Sequence, residues 1–440
     1  MKQKLLVFQL IWLPILGSAQ ETLSVEECIR LALENNLTVS NSAYDQELYQ
    51  EQIREAKSGA LPSLGFSGDY SIYLDLPTTV IPNSAFSQGT EGYSAAAFGT
   101  KHQSTYALQL TQAIYDPNLG VAIRAASKVN EMGELQYKQT KESIVYQVAS
   151  TYYNAQALGE QINMLEANSH SLDTLITNTR MLEENGLVNQ TDVDRLIINK
   201  ASLDNNIAII RADYDLLINS LKLLLNLDQD TPLQIVSDLN PEIEPSQSAQ
   251  QFAIQNRVDI KLLGKQMELL QLQEAQIKKG YQPTISAVAS YGLLGFGENE
   301  VNFYEHYDFN YIGLQMRWNL FDGMAKRTQA KQKRIQMMQL QSNVELTQRS
   351  IENERTNALA KLRTHLSEVE TQQRSVELAS NIYANIQMQY REGLVGVQEV
   401  IQTKDDLIEA ETNYLNSWIQ LQQAKLDLEK AEGNLLTNYN

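Results

Sequence analysis

The sequence predicts an α+β membrane protein built from a tandem-duplicated helix–strand–strand–helix repeat, and three observations carry that prediction. Two long stretches, Pro117 to Gly186 and Asp322 to Gly393, hold apolar residues at helical spacing. Phrases from the first half of the chain return, in order, in the second. Between the helical stretches of each half lie two segments that alternate apolar and polar residues and bracket a polar loop.

The helices come first in the argument because they are longest. Between Gly323 and Gly393 there is neither glycine nor proline, so nothing interrupts a helix about 100 Å long at 1.5 Å per residue. Ordinary globular helices run about 8–20 residues, and patterns far beyond about 25 mark coiled coils, membrane spans or helical repeats. In the first stretch Ile144, Val148, Thr151, Ala155, Leu158, Ile162, Leu165, Leu172, Leu175, Thr179 and Leu182 fall at steps of three and four. In the second, Ala358, Leu362, Leu366, Val369, Val376, Ala379, Tyr383, Ile386 and Tyr390 do the same. Each set is one face of a helix that packs on other helices. Neither stretch has an apolar run long enough to span a bilayer as a helix. A further seam runs through Leu203, Ile207, Ile210, Tyr214, Leu217, Leu221 and Leu224.

Residues 1–19 read as a cleaved secretory signal: Lys2 and Lys4 precede the apolar segment Leu5 to Leu16, and Gly17-Ser18-Ala19 supplies small residues for cleavage. Ser24 and Glu27 then form a helix-capping box. Cys28 is the single cysteine, which excludes a disulfide framework, and its flanks do not suit an acyl anchor. Net charge is −18 with acids spread along the chain, which argues against a nucleic-acid partner, because phosphates demand clustered Lys and Arg.

The repeat is explicit. Ala32-Leu33-Glu34-Asn35-Asn36 returns as Ala253-Ile254-Gln255-Asn256-Arg257, 221 positions on, and Pro62 and Tyr70 return as Pro283 and Tyr291. Leu108-Gln109-Leu110 and Ile114-Tyr115-Asp116 return as Leu314-Gln315-Met316 and Leu320-Phe321-Asp322 at an offset of 206. Gly186-Leu187-Val188 returns as Gly393-Leu394-Val395. The first repeat covers residues 20–227 and the second 247–440, joined by a linker, 228–246, that holds Pro232, Pro241 and Pro245. The offset shortens because residues 75–103 form a longer loop in the first copy.

Four segments alternate with period two. Leu64, Phe66, Tyr70, Ile72 and Leu74 alternate with Ser63, Gly65, Ser67, Asp69 and Ser71; Ile312, Leu314, Met316, Trp318 and Leu320 alternate with Gly313, Gln315, Arg317 and Asn319. Tyr106 to Ile114 and Thr284 to Tyr291 complete the set. Strand pairs about ten residues long around a polar loop suit a transmembrane β-barrel. Four strands do not close a barrel, since the smallest have about eight, so the barrel is expected to be shared between chains.

These marks, taken together over the mature chain, resemble the TolC-type outer membrane efflux channels. The resemblance implies a homotrimer with four strands per chain in a twelve-stranded barrel, continued by an α-helical coiled-coil barrel in the periplasm. It implies an exit duct in the outer membrane, with outer membrane lipid around it, that works with a periplasmic adaptor and an inner-membrane transporter. The rival reading is a non-conducting periplasmic structural or adhesive coiled-coil protein, which keeps the helices but gives no reason for the alternating strands.

The same resemblance assigns the candidate site. Gly186, Leu187, Val188, Gly393, Leu394 and Val395 form the hairpin tips on which an adaptor docks. Glu399, one turn beyond the second tip, matches a carboxylate that lines the narrowest part of the pore, and Gln402 stands where a second carboxylate is expected. Asp192 and Tyr390 have counterparts in a latch whose basic member is replaced here by Val395. Asp192 and Glu399 also read simply as helix N-terminal acids that suit the dipole. The four histidines, His102, His170, His306 and His365, lack metal-ligand spacing, and no nucleophile motif or phosphate loop is present, so neither an enzyme nor a cofactor is expected.

Overall fold

The computed structural model describes residues 22–83, 91–236, 239, 252–297 and 305–439. The expected signal segment and much of the proline-containing linker lie outside them. Helices α1 (Val25–Asn35) and α2 (Leu37–Ser58) lead to strand β1 (Ser63–Ile72), a small hairpin of β2 (Thr78–Pro82) and β3 (Tyr93–Ala97), and β4 (His102–Tyr115). Helices α3 (Leu119–Glu184) and α4 (Gln190–Leu225) complete the first repeat. The second runs through a 3-10 turn at Ile254–Asn256, α5 (Val258–Lys279), β5 (Thr284–Gly297), β6 (Glu305–Arg317), α6 (Ala325–Arg391), α7 (Val397–Glu432) and the short α8 (Leu435–Asn438). The duplication holds to the residue: α2 and α5 have 22 residues each, and α4 and α7 have 36 each.

The helix ends repeat as well, through different chemistry. Ser24 and Glu27 form the expected capping box at α1. Asn36 accepts from the amide of Thr38 at 2.8 Å and donates through Nδ2 to the carbonyl oxygen of Leu224 at 2.8 Å, near the C-terminus of α4. Arg257, its repeat counterpart, donates through Nη1 to the carbonyl oxygen of Lys430 near the end of α7. Each supplies a donor to carbonyls that a helix end leaves without partners. The following caps, Asn226 (φ 55°) and Gly433 (φ 75°), are both left-handed, the conformation that stops a helix most cheaply with Asn or Gly.

Two compact units are present. One comprises residues up to Tyr44, Leu135–Lys261 and Glu345–Asn440; the other comprises Asp45–Glu134 and Leu262–Val344. Each repeat contributes to both. The first unit has two apolar clusters, one around Ile29, Val145, Ala149, Leu221 and Leu225, the other around Leu165, Leu172, Leu196 and Val400. Leu165, Leu172 and Leu221 come from the seams read in the sequence, whereas Ile29, Val145, Ala149, Leu196, Leu225 and Val400 do not; each fully buried leucine contributes about 1.5–3 kcal/mol. Cys28 lies in the first cluster, where burial pushes its thiol up to about 12.

The second unit holds a four-stranded antiparallel sheet in the order β1-β4-β5-β6. Its register aligns Leu64 with Leu110, Leu110 with Ala289, and Ala289 with Ile312, a continuous apolar row on one face. Ser63, Thr111, Val288 and Gly313 line up on the other. Two expectations change here. Residues 75–103 are not wholly loop, because β2 and β3 pair within them and β4 begins at His102. The last strand ends at Arg317, so Trp318 and Leu320 leave the alternation. Arg317 pairs with Thr284, and the next partner would be Pro283, which has no amide to offer the ladder. Trp318 instead donates from Nε1 to the carbonyl oxygen of Tyr281 at 2.9 Å.

Candidate functional site at the hairpin tips and the sheet

Both helix hairpins of the first unit reverse through the same motif. The Gly186 amide donates to the Glu183 carbonyl at 2.7 Å and the Leu187 amide to Leu182 at 2.9 Å; Gly393 and Leu394 donate to Tyr390 at 3.0 Å and Gln389 at 2.9 Å. This is the paired bonding of a Schellman turn, and it requires the positive φ found at Gly186 (72°) and Gly393 (76°). Behind each glycine, Leu187 and Leu394 project with 71% and 69% of their surface exposed. Val395 packs against the second apolar cluster, and Val188 is half-buried. The tips therefore present one bare leucine each.

Asp192 and Glu399 sit in the first turns of α4 and α7, their amides bonded to Asn189 at 3.0 Å and Gly396 at 3.2 Å. Asp192 is half-buried and Glu399 exposed, and the carboxylate of Glu399 has no hydrogen-bond or ion-pair partner among the described residues. Gln402 is not isolated: its Nε2 donates to Asp406 Oδ1 at 2.9 Å. Glu399, Gln402, Asp406 and Glu409 are all exposed and follow one another at steps of three, four and three, so they form a single polar stripe on α7. Sequence reasoning stopped at Gln402, although that spacing was there to be read.

Tyr390 is buried, and its hydroxyl lies 2.9 Å from Thr179 Oγ1, also buried, joining α6 to α3. Within the chain it is paired with Thr179, not with Asp192. A second polar joint had no sequence signal. Lys404 on α7 is only 3% exposed, yet it donates through Nζ to Asn168 Oδ1 of α3 and lies 4.6 Å from the centre of the Tyr383 ring. Asn168 Nδ2 in turn donates to Glu411 Oε2 at 3.1 Å. Burial holds the Lys404 ammonium below its ordinary value, and burial raises the Glu411 carboxyl, offset in part by Asn168 and Lys404.

The sheet has the other functional geometry. Ile312 and Leu314 on the apolar face are 89% and 77% exposed, and neither β1 nor β6 has a strand beyond it among the described residues. Also among the described residues, no His, Cys, Asp and Glu group is placed to hold a metal, and no helix is long and apolar enough to cross a membrane.

The family model for outer membrane efflux proteins matches residues 28–227 and 250–434, most of both repeats. The chain belongs to the outer membrane efflux protein family. It is an exit duct of the outer membrane, not an enzyme. Outer membrane protein TolC of Salmonella enteritidis is 22% identical over 442 residues, covering 96% of this chain and 83% of that protein. Among solved structures, CusC superposes with a TM-score of 0.73 at 16% identity, covering 93% of this chain and 91% of its own. The CmeC outer membrane channel of Campylobacter jejuni gives 0.72 at 17% identity, covering 93% and 85%. The efflux-protein fold thus extends over nearly the whole chain at sequence distances where residue identities have largely turned over.

Proposed function

We propose that three copies of this chain close one twelve-stranded barrel in the outer membrane and continue it as a helical barrel in the periplasm. The duct then passes cargo outward from an inner-membrane transporter and a periplasmic adaptor. One observation carries this reading: the β1-β4-β5-β6 sheet leaves an apolar face exposed and both edge strands unpaired. In lipid each unpaired backbone group costs several kcal/mol, and only closure removes edges. Pairing β6 of one copy with β1 of the next satisfies both edges at once. Leu64, Phe66, Leu110, Ile312 and Leu314 then face lipid. A non-conducting coiled-coil protein would leave that face and those edges without purpose.

Gly186-Leu187-Val188 and Gly393-Leu394-Val395 are the adaptor's docking tips, with Leu187 and Leu394 as the anchoring side chains. Threefold repetition turns Glu399 into a ring of carboxylates, with Gln402 and Asp406 one and two turns behind it, which favours cations at the narrowest point. Asp192 borders this aperture, and Tyr390 holds α6 to α3 beside it.

Cysteine pairs along the edge strands test the closure. Single cysteines at Ser63, Ser67 or Ser71 of β1 are combined with single cysteines at Tyr307, Tyr311 or Gln315 of β6. Oxidation is expected to link neighbouring chains into species of up to three subunits in preparations that conduct ions across planar bilayers. A monodisperse monomer in mild detergent, with its β content intact and no conductance, would end this reading.

A further inference from the structure

Basic residues are a minority in this chain, 35 against 53 acids, yet they crowd one place. From Asp322 to Ile335, where β6 gives way to α6, stand Lys326, Arg327, Lys331, Lys333 and Arg334 against the single acid Asp322. The equivalent stretch of the first repeat, Asp116 to Val129, has only Arg124 and Lys128. Duplication alone therefore does not account for the cluster.

Two of these charges are internally occupied: Lys326 pairs with Asp322 at 3.0 Å and Arg334 with Glu274 at 2.8 Å. Arg327, Lys331 and Lys333 make no ion pair among the described residues; Arg327 and Lys331 are exposed and Lys333 is half-buried. Arg327, Lys331 and Arg334 are spaced four and three apart, so they share one helix face.

The cluster borders a belt of exposed large side chains. Each strand–helix junction of the sheet carries at least one: Leu61 before β1, Tyr115 at the end of β4, Tyr281 before β5, and Trp318 and Phe321 after β6, between 44% and 77% exposed. Trp318 is anchored to the Tyr281 carbonyl, and Lys326 Nζ lies 5.3 Å from the centre of the Tyr281 ring. Aromatic side chains at strand ends mark the level of lipid headgroups, and basic residues just outside that level attract anionic lipid. A soluble anion would explain the charges but not the belt.

We propose that this junction binds the headgroups of anionic phospholipids in the periplasmic leaflet, with Arg327 and Lys331, one turn apart on the same helix face, on the phosphate and the aromatic belt setting the depth. The inference rests on the barrel reading above. It gives the second repeat a task that the first does not share, since three copies place three such basic sites around the base of the barrel.

The test uses the full protein reconstituted in phosphatidylcholine vesicles with a minority of spin-labelled phosphatidylglycerol or, in parallel, spin-labelled phosphatidylcholine. The native chain is expected to immobilise labelled phosphatidylglycerol in excess. Each of the changes Arg327→Gln and Lys331→Gln should lower that preference about fivefold at low salt. A control with Lys361→Gln, Arg363→Gln and Arg374→Gln, farther along α6, should keep it. Equal immobilisation of both lipids by the native chain, or a variant with both Arg327→Gln and Lys331→Gln that retains the preference, refutes the proposal. In each refuting case normal insertion and conductance leave the duct standing, whereas a chain that neither inserts nor conducts refutes both.

Discussion

Asn168→Leu should be among the most damaging single changes in the helical unit, although Asn168 touches neither a tip nor the sheet. Its side chain bridges a buried ammonium and a half-buried carboxylate, accepting from Lys404 and donating to Glu411. Removing the bridge leaves an ammonium that is 3% exposed and a half-buried carboxylate without this hydrogen-bond partner, which costs about 3 kcal/mol, at the upper end of the range for stranded polar groups because both are charged. At about 2–4 °C per kcal/mol the melting temperature should fall by roughly 10 °C. Adding Lys404→Met and Glu411→Leu to Asn168→Leu removes the stranded charges, and the triple variant should melt at or above the native temperature.

The pH dependence provides a second reading of the same network. Lys404 titrates below its ordinary value in the folded chain, so across that alkaline window the unfolded chain holds the extra proton and stability rises with pH. Glu411 titrates above its ordinary value, so across its acid window the folded chain holds the extra proton and stability falls as pH rises. Both slopes should vanish in the triple variant. Thermal unfolding of the detergent-solubilised protein, followed by circular dichroism across pH, measures all of this. A single Asn168→Leu variant that melts like the native chain refutes the reasoning.

Three other outcomes are expected. Tyr390→Phe leaves Thr179 Oγ1 buried without its partner, which should cost about 1–3 kcal/mol and raise resting single-channel conductance, while Thr179→Val combined with Tyr390→Phe recovers most of the stability; a single variant with unchanged melting and conductance removes the joint from consideration. Glu399→Lys should reduce or reverse cation preference without changing trimer yield, read from reversal potentials under a salt gradient, and unchanged potentials would take Glu399 out of the pore lining. Gly292→Ala places a Cβ 2.4 Å from Phe309 and 2.6 Å from the Tyr106 carbonyl, so assembled protein in outer membrane fractions should drop sharply, with about 1–3 kcal/mol of overpacking strain; normal assembly would show that the sheet yields there.

By itself the sequence determined whatever depends on near neighbours along the chain. Helices α3 and α6 were legible because their seams recur every three or four residues, the turns because glycine at 186 and 393 accepts at least cost the positive φ that a Schellman reversal needs, and the repeat because its phrases survive in order. The sheet face was legible too, since alternation specifies which side chains share it. Tertiary structure decided the rest. Trp318 continues the alternating pattern but not the strand, because its cross-strand neighbour would be Pro283, a fact of register between segments separated in sequence. The hairpin of β2 and β3 depends on pairing that two five-residue segments without alternation do not announce. Lys404 reads as a surface residue of an acidic helix, and only the packing of α7 on α3 buries it against Asn168, 236 residues away. Local periodicity specifies which face of a helix is apolar; which other helix covers that face, and which polar groups are enclosed when it does, is settled only when the two come together.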